Sequence, residues 1–465
     1  MTPVTPSKQM PRLMRWLAGA GFFILVIKIW GLMPPLLSPD EYLHLYRAVA
    51  LSQGDWLLQP ESPDHSKSFL SKGYQVGAGI DEGFIAYKDI LRPLMVDPKR
   101  QLSQAESVHV SRLGWTGQLH FEAIPGAGYY MPLVYLPQSM SLALGRELGL
   151  GIHASYWLTR FLTTATCVLL LALAWRIQRP PLLAVAFLML PMSIFQFLSP
   201  TIDGLTTSIA VVAFSSFYAI NSSTPPLSWK KSAAFGLSIF ILASSRTHLL
   251  PLIVLPVWVW WKFRTRPHAI NALLTILATL AWVGFALMTT VDARVQKAMG
   301  NDALVLHYLL HPADYLSMVW ATLSDLQTLG FYAHSFVGIL GWLNVLLPPW
   351  TYPCTGLLLT GIALTTAKLP ATCNAHNWLL VLLALLSSFL VLLAMLVNWT
   401  PIGSALIQGV QGRYFIVPAL MMAYGLRVDL VHRGTRSQIL SALLFFCFLT
   451  LSVWALVSGL GARYD

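Results

Sequence analysis

The segment Ser38-Pro39-Asp40-Glu41-Tyr42-Leu43-His44-Leu45-Tyr46-Arg47 holds two carboxylates, an imidazole and a guanidinium in close succession. On a helix, Asp40 and His44 are four apart and Glu41 and His44 three apart, so they share a face that Arg47 continues. A carboxylate held in such company can take the proton from a hydroxyl under attack. The simpler reading is a helix cap, with Ser38 or Asp40 at the N-cap and Pro39 in the first turn. A cap has no use for four such side chains together. A second acid, Asp203, stands in Ser199-Pro200-Thr201-Ile202-Asp203-Gly204, where it either caps the following helix or joins the first group.

Two further groups could act with them. Ser244-Ser245-Arg246-Thr247-His248 interrupts an apolar run, and ionisable residues at membrane depth are functional candidates unless they snorkel to the surface. In Gln408-Gly409-Val410-Gln411-Gly412-Arg413-Tyr414-Phe415 the two glycines permit close backbone approach, and Arg413 at the start of a helix suits a phosphate. A Gly-rich turn ending in a snorkelling arginine is the alternative. The chain has no GxGxxG, Walker A or HExxH sequence, so nucleotide binding and zinc proteolysis are unsupported. Cys167, Cys354, Cys373 and Cys447 are scattered, which supports neither a zinc site nor a disulfide framework.

The elements that must carry these residues are membrane helices. Of 465 residues, 56% are apolar and only 11% charged, with a mean hydropathy of +0.62; soluble domains carry roughly 25% charged residues. Apolar runs long enough to cross a hydrocarbon core of about 30 Å recur along the chain. This excludes a soluble enzyme, a secreted disulfide scaffold and a disordered chain. The net charge of +11 could suggest a nucleic-acid partner, but its placement argues otherwise. Lys8, Arg12, Arg15, Arg176, Arg179, Lys230, Lys231, Lys262, Arg264, Arg266, Lys368, Arg427, Arg433 and Arg436 precede the first run or fall in alternate connections, with Asp429 the single acid among them. That is the positive-inside pattern, and no nucleic-acid partner is expected.

The pattern predicts an all-α polytopic bundle of about eleven helices. A cytoplasmic tail (1–15) precedes helix 16–36, which is read as a retained anchor rather than a cleaved signal. An outer segment, 37–153, holds 12 of the 19 acids and is expected to fold as short interfacial helices, including the stretch from Tyr129 to Leu148. The bundle occupies 154–460, with spans at 154–175, 180–198, 204–220, 268–290, 351–367, 377–398, 414–430 and 438–459. The run 232–261 is divided at Arg246 into two short helices, and 291–350 forms a second outer region. The N-terminus is then inside and the C-terminus outside. Asp40, Asp203, Arg246 and Arg413 all fall on the outer side, where a shared function requires them to line one cavity.

This order of parts resembles the GT-C superfamily of membrane glycosyltransferases. More specifically, Pro39-Asp40-Glu41-x-x-His44 with Arg47 looks like a bacterial family of multi-pass proteins of unassigned function related to that superfamily. Tyr130-x-Pro132-x-x-Tyr135-x-Pro137, Pro200-x-x-Asp203, Phe336-x-Gly338-x-x-Gly341-Trp342 and Gln411-Gly412-Arg413-Tyr414 belong to the same resemblance, which spans about residues 15–430. It implies transfer of a sugar from a polyprenyl-phosphate donor to a glycan, lipid or protein acceptor, with inversion, at the outer face of the bacterial cytoplasmic membrane. By position, Asp40 would be the base, with Glu41 next. Arg413, with Gln411 and Tyr414, would hold the lipid phosphate. His44, Arg47, Arg246 and His248 would complete the substrate site. Asp203 matches an acid that some members use for a metal or the acceptor, but the chain lacks an Asp-x-Asp, so no metal ligand is assigned and a divalent metal is unsupported. Arg246 and His248 beside a broken helix also fit a transporter or flippase of lipid-linked sugars; a non-catalytic envelope-assembly protein is the third reading.

Overall fold

The computed structural model describes residues 12–60, 75–222, 228–290, 295, 300–366, 374–427 and 434–464. Lys8, Lys368, Asp429 and Arg433 of the charge pattern, Glu61 and Asp64 of the acidic segment, and Cys373 lie outside the described residues. The described residues are mostly helical, and five helices are long and apolar enough to cross a membrane: Ile152–Ile177, Ile202–Ser222, Arg266–Thr289, Ala375–Asn398 and Thr435–Tyr464. Ile202–Ser222 is the most enclosed of them and runs through the middle of the bundle, whereas Arg266–Thr289 and Thr435–Tyr464 lie at its edge. The first helix is Arg12–Gly31.

Two spans expected as single helices, 180–198 and 414–430, are interrupted, and the 232–261 run divides where it was expected to. The 180–198 run is two short helices, Leu182–Leu188 and Pro191–Phe197, because Pro191 cannot donate the hydrogen bond that would continue the first. The 232–261 run divides at Arg246, as its length and the basic residues after it led one to expect: Trp229–Ser245 ends there, a 3-10 stretch Thr247–Ile253 containing Pro251 follows, and then the helix Val254–Phe263. The 414–430 run opens with a 3-10 turn, Gly412–Phe415, before the helix Ile416–Gly425.

The region expected to lie outside is built around the helix Glu41–Ser52, whose Leu45, Tyr46 and Val49 are fully buried in one cluster with Phe84, Tyr87 and Tyr135. Helices Glu82–Val96, Gln104–Arg112 and Leu136–Glu147 surround it. An all-helical reading of this region is incomplete. Strands β1 (Gln59–Pro60), β2 (Val76–Asp81) and β3 (Leu119–Ala123) form an antiparallel sheet in the order β1-β2-β3, with Gly77 opposite Ala123 and Asp81 opposite Leu119. A Cβ on Gly77 would stand 2.1 Å from the Glu122 carbonyl oxygen, so the position requires glycine. That glycine dilutes the alternation by which a strand is recognised.

Within the expected second outer region the described residues are largely helical: Asn301–Leu310, Pro312–Ser324 and Leu326–Gly338 precede a hairpin of β4 (Ile339–Leu340) and β5 (Val345–Leu346). The hairpin docks on the first region. Trp342 Nε1 donates to the Ser38 carbonyl at 3.0 Å, its ring stacks on Tyr42, and Asn344 donates to the Met95 carbonyl. Arg463 donates to the carbonyls of Leu94, Asp97 and Arg100, which fixes the end of the helix Thr435–Tyr464 to the same region.

Candidate functional site

Asp40 and Glu41 are neighbours whose carboxylates point apart. Asp40 adopts φ 60 and ψ 10, a left-handed conformation that costs a residue other than glycine roughly 1–2 kcal/mol. It occupies the N-cap position of Glu41–Ser52 without making a capping hydrogen bond. Its side chain instead meets Arg413. Glu41 turns back into the preceding loop and accepts from Leu36 N–H at 3.1 Å, Ser38 N–H at 2.9 Å and Tyr156 O–H at 2.6 Å. Burial raises its pKa, against the Arg160 charge and these hydrogen bonds.

Arg413 is the hub. It comes from the turn Gly412–Phe415, which lies so close to the helix Leu326–Gly338 that a Cβ on Gly412 would fall 2.1 Å from the Phe336 nitrogen. Gly412 N–H also donates to Ser335 Oγ at 2.8 Å. So placed, Arg413 donates to Asp40 at 2.9 Å, to Asp203 at 3.2 Å and to the Pro39 carbonyl at 3.4 Å. Asp203 sits in the first turn of Ile202–Ser222, where its other oxygen pairs with Arg246 and Gln196 donates at 3.4 Å. Arg246, at the break after Trp229–Ser245, lies over the Tyr130 ring and donates to its hydroxyl at 3.4 Å.

Two carboxylates and two guanidiniums thus balance in one cluster drawn from four separate connections. Its interior members, Arg413, Asp203 and Arg246, are 3%, 9% and 11% exposed, whereas Asp40 is 42% exposed. The cluster therefore opens at Asp40. The resting cluster is neutral, and its accessible edge is the Asp40 carboxylate with the Arg413 guanidinium behind it.

The other expected site residues fall at different distances from it. His44 is buried, its Nδ1 sharing a hydrogen bond with Tyr135 O–H at 2.9 Å. Burial lowers its pKa to about 3; Asp40 opposes that shift and Arg246 and Arg413 reinforce it. Tyr414 stands with its ring 5.3 Å from the Arg413 guanidinium, and Gln411 precedes the same turn with an enclosed Oε1 that has no hydrogen-bond partner. Arg47 is not in the cluster: it is buried and donates to the carbonyls of Asp55 and Trp56, tying down the end of its helix. His248 lies half-buried in the 3-10 stretch after Arg246, outside the ion pairs. Among the described residues no group of three or more His, Cys, Asp or Glu could hold a metal ion.

Sequence reasoning passed over Arg160. It lies fully buried in Ile152–Ile177 and joins the carbonyls of Leu198 and Met33 at 2.7 and 2.8 Å, between Trp30 and Trp157. The available signal was a lone arginine inside an apolar run. Tyr130 stood in the Tyr130-x-Pro132 motif without a role assigned to it, and Gln196 had no comparable signal.

Fold and site together define a multi-pass, mostly helical membrane protein with an ion-paired cluster between the region around Glu41–Ser52 and the helical bundle. A family model described as "predicted membrane protein (DUF2142)" matches residues 22–423, and the chain belongs to that family. No curated protein and no solved structure matches it.

Proposed function

We propose that the protein is a GT-C-type glycosyltransferase of the bacterial cytoplasmic membrane, with about eleven crossings, its N-terminus inside and its C-terminus outside. It would move a sugar from a polyprenyl-phosphate donor to a glycan, lipid or protein acceptor on the outer face. The observation that carries this reading is the pairing of an exposed carboxylate, Asp40, with a buried arginine, Arg413. In the resting protein each neutralises the other. A donor phosphate competes for Arg413, and Asp40, relieved of its partner, becomes available as a base. The acceptor hydroxyl then gives its proton to Asp40 as its oxygen attacks the anomeric carbon. The bond from that carbon to the phosphate oxygen breaks, and polyprenyl phosphate leaves against Arg413, giving inversion. Charge-assisted contacts of this kind strengthen as the leaving oxygen gains charge. Glu41 serves this scheme by holding the loop that presents Asp40.

The test is transfer from a labelled polyprenyl-phosphate sugar by purified variants. Asp40→Asn retains donor binding and loses about 10²–10⁴-fold in turnover, whereas Arg413→Ala loses donor binding as well. Normal turnover in both Asp40→Asn and Glu41→Gln would sink the proposed base. That outcome would favour a transporter of lipid-linked sugars, a reading supported by the helix break at Arg246 in the middle of the cluster.

A further inference from the structure

Between the helix Arg266–Thr289 and β4, the path of the chain is fixed by contacts at three levels. Asn301, which opens the helix Asn301–Leu310, donates to Asn398 Oδ1 at 2.8 Å and to Tyr129 O–H at 2.9 Å. It therefore sits at the outer end of the spanning helix Ala375–Asn398. Tyr315, early in Pro312–Ser324, donates to the Phe389 carbonyl at 2.5 Å. From Asn398 to Phe389 is nine residues of helix, about 13 Å at 1.5 Å per residue. Thr322 then accepts from Ile407 N–H at 2.9 Å, back in the outer connection beyond Asn398. The first helix goes in along the spanning helix and the second comes out.

The surface of this pair suits lipid. Leu306, Leu309, Leu310, Leu316 and Trp320 are 55–76% exposed, and at about 100° per residue Leu316, Trp320 and Leu323 fall on one side of their helix. Val319 and Thr322, on another side, are buried against the protein. Leu382, Leu385, Leu386 and Phe389 of Ala375–Asn398, the helix to which Tyr315 is bonded, are exposed as well. Near the inward turn, His307 pairs with Asp314 at 3.3 Å and His311 Nδ1 lies 3.1 Å from the His307 carbonyl, with the two imidazoles stacked at 4.7 Å.

We propose that residues 301–324 form a helical hairpin that re-enters the outer leaflet, with its Leu306–Leu323 face covered by phospholipid acyl chains. The hairpin also borders the cluster. Val319 and Tyr332 pack with Ile407 and Val410, and Tyr414 lies against the same group. An amphiphile reaching Arg413 past this element approaches from lipid rather than from water. The inference stands whether or not the protein transfers a sugar.

Nitroxides attached through a genetically encoded azido side chain at Leu310, Leu316, Trp320 and, as a control, exposed Lys99 would test it in the full-length protein. The protein is reconstituted in phosphatidylethanolamine/phosphatidylglycerol vesicles, and relaxation by oxygen and by a water-soluble nickel chelate is compared. Oxygen should dominate at 310, 316 and 320, and the nickel chelate at 99. Nickel access at 310 and 316 equal to that at 99 would place the hairpin in water and overturn the proposal. Exclusion of both reagents would also overturn it, because protein would then cover the face; dipolar broadening would identify that protein as a second copy.

Discussion

Asp40 and Glu41 carry the same charge on adjacent residues and have opposite fates, decided by a single backbone torsion. The left-handed turn at Asp40 sends its carboxylate to Arg413, while Glu41 enters the helix and satisfies the loop behind it. Residue types at fixed spacing identified the pair as candidate chemistry but could not divide the labour between them, because the dividing partners lie far along the chain. Asp203 anchors the two buried guanidiniums, so Asp203→Asn leaves Arg246 and Arg413 with Asp40 as their remaining carboxylate in the cluster. Breaking such a buried arrangement costs about 3–5 kcal/mol. A thermal melt in detergent should show a large loss for Asp203→Asn and partial recovery when Arg246→Gln is added; a native melting curve for the single variant would refute the role. His44 supplies a pH signature. Its folded pKa, about 3, lies below the ordinary 6.5, so the unfolded chain takes up the proton first. Stability is then full above about 6.5 and falls as pH drops toward 3, by at most about 1.4 kcal/mol per pH unit. Melting temperatures between pH 7 and 4 should fall more steeply for the native protein than for His44→Gln, and parallel curves would show that His44 is not buried neutral.

At the scale of elements, the five long spanning helices were legible because each is an apolar run bounded by charge or proline, and the division at Arg246 followed from the length of the run together with the basic residues Lys262, Arg264 and Arg266 after it. The sheet was not, since Gly77 and Gly79 weaken the pattern of β2 and its partner β3 is mostly exposed. The Gln411-Gly412-Arg413-Tyr414 turn was legible as a motif, yet its seat on Leu326–Gly338 depends on a contact between residues 77 apart. Gly412→Ala tests that seat. Its added methyl meets the Phe336 nitrogen and the Tyr332 oxygen, both backbone atoms that cannot swing aside. Overpacking of this kind costs about 1–3 kcal/mol, and the turn should lift away and take Arg413 with it. A lowered melting temperature together with weakened donor binding is the expected result; an unchanged melt would mean the turn is loosely held.

For the whole molecule, charge asymmetry predicts a common, non-cytoplasmic side for the 37–153 segment and the segment around Arg413, and the two meet through the Asp40–Arg413 ion pair. Cysteines introduced at Asp89 and Ser404 in a cysteine-free background should both react with an impermeant thiol reagent in intact spheroplasts. Protection of either one would contradict the assigned orientation. What sequence could not supply was the convergence of the four connections, since each ion pair but Asp203–Arg246 spans more than 200 residues. That separation also sets an order of events in time. With synthesis at roughly 5–20 residues per second, Arg413 emerges some 20 s to over a minute after Asp40. Asp203 and Arg246, only 43 residues apart, can find each other within seconds and neutralise early. Asp40 must wait at the membrane surface for a partner not yet made, so the cluster is a late checkpoint of biogenesis, completed only after most of the bundle has been inserted.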